Sequence, residues 1–399
     1  MTEHQIKSSV LFHSGIRKIN DVARTKSPKR SNNINNMLTM RIGFGILSWL
    51  LLVLVLHSYV GDVYTFVLLP QAQYHSTTNG RQSSSSSSSC PSTTLLKASD
   101  NGPSLLDAMS NSVAQSLNRD KVVLKPASGA GAAGGGGAQT SAVIDEISGD
   151  KYFIKSARAD RNNMLEAEYL GVKAMSETGT IRVPTPVAYG KGGPLNTAFV
   201  VFEFLNFGGR GSDYDLGVQL AKMHRSTSEK GFGFHVDNTI GATPQPNPWT
   251  LDWAEFWDRH RVGHMLSLTG ELGFDDDDIV KLRSIIKTQL SHNPAPSLVH
   301  GDLWGGNKSF VTVDGNVEPV IFDPATYYGD RETDVAMTSL FGGFGYDFYQ
   351  GYESEWPLPE GHEKRREIYN MYHILNHVVL FGGMYRFQAQ GMIDTILKY

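Results

Sequence analysis

The strongest constraint on this chain is a short polar set in apolar sequence, "LVHGDLWGGNKSF" from Leu298 to Phe310. Asp302 and Asn307 stand five positions apart, and Asp323 follows sixteen residues later in "VIFDPA". An aspartate in an apolar setting is costly unless it is paired or used. Between Asn307 and Asp323 runs "KSFVTVDGNVEPVIFDPA", which reads as two strands around Asp314 and Gly315. An Asp-Gly pair between alternating apolar residues favours a tight hairpin turn.

This order is that of the protein-kinase catalytic set, in which H-R-D-x-x-x-x-N is followed by a metal-binding Asp after a hairpin. "HGDLWGGN" keeps the Asp-to-Asn spacing, and "IFDP" stands where D-F-G would. Phosphoryl transfer needs a proton acceptor beside the attacking hydroxyl, the role expected of Asp302. It also needs hard oxygen ligands for Mg²⁺, expected of Asn307 and Asp323. The plain alternative is that Asp302 caps a turn and Asp323 merely precedes a proline.

The nucleotide side is expected upstream. Backbone approaches phosphate closely where side chains are absent, so Gly134, Gly135, Gly136 and Gly137 in "SGAGAAGGGGAQT" form the candidate phosphate loop. Taken alone, the same composition also describes a linker. Lys155 in "YFIK" occupies the place of the strand lysine, and Glu168 on the following helical stretch is its expected partner. Glu166, two positions away, faces elsewhere on a helix. Glu203, Phe204 and Leu205 in "VVFEFL" would link two lobes and offer backbone groups to adenine. ATP and Mg²⁺ are therefore the expected cofactors.

The organisation of the chain agrees with a two-lobed enzyme behind a long leader. Residues 1–36 are polar and basic, 37–69 contain a hydrophobic signal or anchor segment, and 70–100 are a Ser-rich transit or linker tract that cannot build a core. The apolar run at residues 42–60 has about the 18–20 residues of a membrane span. It reads either as an anchor, giving membrane association, or as a signal followed by a transit segment, as in plastid import through the secretory route. Residues 101–205 alternate strand-like runs with Gly and one helical stretch, residues 162–177, and are expected to form a small β-rich N-lobe. Residues 206–399 are mostly helical in pattern and form the larger C-lobe, ending in one long helical stretch, "KRREIYNMYHILNHVVLFGGMYRF". The fold class is α+β, a two-lobed protein-kinase-like fold of the aminoglycoside phosphotransferase or choline kinase type.

Composition narrows the function further. A net charge of −4 leaves no basic domain for general nucleic-acid binding. The single cysteine, Cys90, excludes an internal disulfide and a thiolate metal cluster. "DDDD" at 275–278 precedes a helical run and reads as a solvated N-terminal cap. His224, His373 and His377 read as packed or surface residues on amphipathic helices. His300 is read as orienting the catalytic loop rather than transferring a proton, and Asp334 as tying that loop through hydrogen bonds. Gly342 and Gly343 read as a helix-ending turn.

Three stretches together, "HGDLWGGN", "DPATYYGDRETDVAM" and "FGFHVDNTIGATPQPNPWTLDWAEFWDRHR", make the chain resemble the fructosamine/ketosamine 3-kinase family, also called protein-ribulosamine 3-kinases. The resemblance covers about residues 102–395. It implies an ATP-dependent kinase that phosphorylates the sugar 3-hydroxyl of ketosamines on glycated protein or small molecules, a step that leads to deglycation. It also implies that Trp304 shapes the sugar pocket beside His300, although a buried hydrophobic plug is the other reading of that indole. Many members carry a cysteine in a "GGGC" context that permits redox-controlled dimerisation, and here the matching position is Ala138. Two alternatives share the skeleton or the leader: an aminoglycoside- or choline-type phosphotransferase, and a catalytically silent binding domain on a membrane.

Overall fold

A computed structural model describes residues 103–127, 133–135, 138–270 and 272–399, all within the compact unit Val67–Tyr399. The segments 1–36, 37–69 and 70–100, the apolar run 42–60, and Gly136 and Gly137 lie outside the described residues. Among the described residues no helix is long and apolar enough to cross a membrane.

The described chain opens with α1 (Leu105–Ser116), followed by β1 (Leu124–Pro126), β2 (Ala133–Gly135), β3 (Ala138–Asp145) and β4 (Lys151–Ala157). Helix α2 (Asn162–Glu177) leads to β5 (Pro186–Gly192) and β6 (Thr197–Glu203). These strands form one antiparallel sheet in the order β1-β3-β4-β6-β5, with β2 paired to β3. Strand β6 is buried on both faces. Ala198, Val200 and Phe202 pack with α2, while Phe199 and Val201 pack with α1. Side chains alternate faces along a strand, so a central strand covered on both sides must be apolar throughout.

Helix α1 corrects the expectation of a single helix in this lobe. Its N-terminus is a capping box in which Ser104 and Asp107 satisfy each other's backbone amides. Such a cap contributes about 1 kcal/mol. Met109 and Val113, one turn apart, are buried against the sheet and add about 2 kcal/mol each.

The helical part begins with α3 (Asp213–His224) and continues through a small hairpin, β7 (Asn238–Ile240) and β8 (Thr243–Gln245). Next come α4 (Trp253–Trp257), a π-helical turn at Asp258–Gly263, and α5 (His264–Thr269). Helix α6 (Asp276–Gln289) is capped by Asp275, whose side chain accepts from the Asp278 amide. Strand β9 (Ser297–Val299) precedes the catalytic loop, and β10 (Lys308–Val313) with β11 (Asn316–Ile321) forms the hairpin that follows it. Its turn places Asp314 and Gly315 at φ +51° and +83°, as a two-residue turn with both central φ values positive requires.

Strand β12 (Tyr327–Gly329) pairs with β9, and the chain closes with α7 (Glu332–Leu340), α8 (Tyr346–Glu355), α9 (His362–Phe381) and α10 (Met384–Ile396). The expected final long helix is thus two helices. Gly382 and Gly383 take φ +61° and +56°, a conformation that ends α9 and lets α10 start in a new direction. Helix α7 ends just before Gly342 and Gly343, which also have positive φ. The result is the two-lobed, protein-kinase-like α+β fold, with a β-sheet N-lobe and a helical C-lobe. One apolar cluster runs from α2 and β6 through α3 to Leu298, Leu303 and Ile321, so the same core supports the sheet and the catalytic loop.

Candidate active site

Lys155 lies on β4, and its Nζ sits 2.7 Å from Glu168 Oε1 and 2.8 Å from Asp323 Oδ1. Glu168 falls between Leu165 and Val172 on the buried side of α2, three residues after one and four before the other. Glu166 points away and receives the Tyr189 hydroxyl at 3.4 Å. Burial alone would discharge the Lys155 ammonium. The carboxylates of Asp323 and Glu168 more than offset that and hold it above its ordinary value.

In the sheet register, Lys155 faces Thr140 on β3, and Thr140 faces Ala133 on β2. Gly134 and Gly135 therefore sit two strands from the lysine, at the hairpin where β2 turns into β3. Glu203 closes β6 with its carboxylate engaged by Arg182 at 2.6 Å and by the Thr185 hydroxyl at 2.8 Å. The amides of Glu203 and Phe204 donate to the carbonyls of Thr185 and Lys151. Of the three linker amides, that of Leu205 is the one with no backbone partner among the described residues.

The catalytic loop is built around His300, which is fully buried. Its Nε2 lies 2.9 Å from the Phe322 carbonyl, which can only accept, so the proton is on Nε2 and Nδ1 receives the Asp302 amide at 3.3 Å. Asp334 holds the same turn from the other side. Its Oδ2 accepts from the His300 amide at 2.6 Å and its Oδ1 from the Gly301 amide at 2.8 Å. Gly301 has φ +81°, and a Cβ there would lie 2.2 Å from the Ala325 carbonyl. No other residue fits that position.

Asn307 joins the two aspartates. Its Nδ2 donates to the Asp302 carbonyl at 2.9 Å, to Asp302 Oδ2 at 3.4 Å and to the Asp323 carbonyl at 3.3 Å. Asp302 is pushed up to about 7, first by removal from water and then by the charges of Asp323 and Asp334, against the opposing Asn307 amide. The Asp323 carboxylate is about half exposed, 48%, and sits on a backbone with φ +57°. Two carboxylates and an amide oxygen form a hard donor set that suits a small divalent cation such as Mg²⁺.

Trp304 is 41% exposed, so it is not a buried plug. Its ring lies over Gly306, where a Cβ would come 2.2 Å from the indole. The geometry thus brings together Asp302, Asn307, Asp323, Lys155 and Glu168, with His300 beneath them and Trp304 at the rim. Sequence reasoning missed the depth of the support. His224, fully buried at the end of α3, places Nε2 3.0 Å from Asp334 Oδ2 and Nδ1 2.8 Å from the Tyr352 hydroxyl. The signal for it was a histidine in an apolar helical stretch, which is ambiguous without its distant partner.

Comparison with known proteins adds an independent line. A family model described as fructosamine kinase matches residues 109–399. A Synechocystis protein named as a probable ketoamine kinase is 47% identical over 251 residues, covering 62% of this chain and 83% of its own. A protein from Arabidopsis thaliana named protein-ribulosamine 3-kinase, chloroplastic, is 44% identical over 270 residues, covering 66% of this chain and 81% of its own. A crystal structure of a Haemophilus somnus protein, provisionally assigned as a fructosamine-3-kinase, superposes with TM-score 0.63 at 29% identity, covering 72% of this chain and 96% of that one.

Proposed function

The chain belongs to the fructosamine kinase family, and from that premise we propose that it is an ATP-dependent ketosamine 3-kinase. Phosphoryl transfer from ATP to the sugar 3-hydroxyl of a ribulosamine or fructosamine gives an unstable product that sheds the sugar and restores the amine. The observation that carries this reading is the convergence of Asp302, Asn307 and Asp323 opposite the Lys155–Glu168 pair.

Asp302 accepts the proton of the attacking hydroxyl, and its raised value suits a base working near neutrality. Asn307 and Asp323 would hold Mg²⁺, which when bound supplies positive charge against the phosphate oxygens. Lys155, held by Glu168, would be the residue that meets the phosphates. Gly134, Gly135, Gly136 and Gly137 would serve the phosphates, and Glu203, Phe204 and Leu205 the adenine, with Leu205 as amide donor. The exposed indole of Trp304 offers a flat apolar face to the sugar ring, and His300 keeps the loop in register.

The acceptor is a glycated protein or a smaller ketosamine, and the named relatives favour ribulosamine. The plant relatives are chloroplastic. With the Ser-rich tract at 70–100, that favours a plastid destination for this chain as well.

The decisive experiment is ATP consumption by the purified protein with Mg²⁺ on ribulose-lysine, fructose-lysine, choline and kanamycin in parallel. Turnover restricted to ketosamines is expected. Turnover on choline or kanamycin without turnover on either ketosamine would overturn the reading.

A further inference from the structure

Asp323 carries its carboxylate on a backbone that L-residues seldom adopt, φ +57°. Such a conformation is strained and persists only where the surroundings hold it from more than one side. On the upstream side the catalytic loop does so. The Phe322 amide donates to the Asn307 carbonyl at 3.1 Å, and the Phe322 carbonyl receives His300 Nε2. The downstream side, Pro324 to Thr326, is held partly by the same loop, through the Ala325 amide on the His300 carbonyl, and partly by something else.

That something is the proline-rich "TPQPNPW" stretch. Thr243, Gln245 and Asn247 are buried while Pro244 and Pro248 are exposed, so a period-two strand here turns its polar side chains inward. The prolines fix φ and remove amide donors, which lets the segment run beside a core without unpaired N–H groups. Gln245 is 1% exposed and fully used. Its Nε2 donates to the Ala325 carbonyl at 3.1 Å and to Asn238 Oδ1 at 2.8 Å, and its Oε1 accepts from the Tyr372 hydroxyl at 2.6 Å.

Asn238 in turn donates to the Thr326 carbonyl at 2.8 Å. Asn247 donates to Asn238 Oδ1 at 2.9 Å and is itself held by the buried guanidinium of Arg261 at 2.7 Å. Ala325 is the meeting point. Its amide donates to the His300 carbonyl, its carbonyl accepts from Gln245, and that carbonyl is the atom Gly301 must make room for.

We propose that Gln245, seconded by Asn238, is a positioning residue for Asp323, bracing the segment after it so that its carboxylate faces the cation site. It acts through backbone carbonyls and touches no substrate. The inference rests on the proposed role of Asp323 as a metal ligand.

The test is Mn²⁺ binding, read by electron paramagnetic resonance in the presence of a non-hydrolysable ATP analogue, on the full chain and three variants. Gln245→Met keeps the bulk and removes the donor to Ala325. It should weaken Mn²⁺ binding about tenfold or more and raise the Mg²⁺ needed for half-maximal turnover by a similar factor. Tyr372→Phe removes the bond on the other side of the same amide and leaves Ala325 held, so it should lower thermal stability without moving either metal constant.

If Gln245→Met does not fold, Asn238→Ser, which frees the Thr326 carbonyl and also removes the oxygen that Gln245 and Asn247 donate to, carries the same expectation. Metal constants within twofold of the wild type in a folded Gln245→Met or Asn238→Ser protein would overturn the proposal. So would equal metal loss in Tyr372→Phe, because that would mark a general packing effect. A wild-type protein that binds no divalent cation with the nucleotide would instead sink the functional reading beneath it.

Discussion

His224 and Asp334 meet beneath the catalytic loop, Nε2 to Oδ2 at 3.0 Å, although 110 residues separate them in the chain. The same carboxylate takes the amides of His300 and Gly301, so one buried anion satisfies three donors. Asp334→Asn replaces an acceptor with a donor that faces other donors. It should cost about 2–4 kcal/mol of stability, because buried donors lose their partner. Urea denaturation checks this, and a loss under about 1 kcal/mol would mean the loop finds other partners.

Acid should expose the same contact. Burial works against the Asp334 charge, but His224 and the backbone amide of Gly301 outweigh it and hold the carboxyl below its ordinary value. A depressed carboxylate stabilises the fold at every pH above its unfolded value, near about 4, and that contribution is lost as pH falls through the folded value. Stability of the wild type should therefore drop steeply below about pH 4, and Asp334→Asn should show a shallower acid limb. Denaturation midpoints between neutral and acid pH give the comparison, and parallel limbs would remove Asp334 from the account.

Asp302 titrates the opposite way. Burial and the charges of Asp323 and Asp334 hold it up to about 7, so its base form accumulates as pH rises through neutrality. At low Mg²⁺, turnover should rise with pH across about 6 to 8, as expected for a single general base. A cation at Asn307 and Asp323 favours the charged form, so the rise should move to lower pH as Mg²⁺ is increased. Asp302→Asn should bind nucleotide normally and lose turnover by about 10²–10⁴-fold. A profile that ignores Mg²⁺, or an active Asp302→Asn, would take the base role from Asp302.

Much of this site is visible in the sequence because local rules build it. The Asp302-to-Asn307 spacing lies in one loop, and an Asp-Gly turn in a six-residue-per-strand hairpin carries the chain to Asp323. Lys155 and Glu168 follow from order along the chain and from one helical face. Helix α1 escapes such reading because its buried pair, Met109 and Val113, is short and its cap is ordinary. The inward polar face of 243–247 escapes for a different reason. Nothing local distinguishes a glutamine that braces Ala325 from one that faces water, since its partners come from 80 and 127 residues away. The break at Gly382 and Gly383 was present in the letters, but apolar periodicity on both sides conceals a change of direction.

Lys155 offers a separable test. It neutralises both Glu168 and Asp323, so Lys155→Met leaves two carboxylates facing a cleft with no cation. Catalytic efficiency should fall about 10²–10³-fold, the size of effect seen when one preorganised charge contact is removed. Glu168→Gln keeps the lysine charge and weakens only its aim, so its loss should be smaller. Steady-state kinetics rank the two. If Glu168→Gln proved the more damaging, Lys155 would be acting as a support for the helix rather than for the phosphates.

The redox behaviour of the enzyme domain follows from one substitution. The cysteine that many relatives are expected to carry beside the glycine-rich loop is matched here by Ala138, a buried residue at the start of β3 that pairs with Gly135. An alanine methyl cannot form a disulfide, and the chain's one thiol, Cys90, lies far upstream in sequence. A protein of residues 100–399 contains no sulfur able to cross-link two copies. Its turnover and its oligomeric state should be the same with dithiothreitol and with a mild oxidant. Ala138→Cys puts a thiol back at the matching position, and both should then depend on the reductant. Activation of the unsubstituted residues 100–399 by dithiothreitol would contradict this directly.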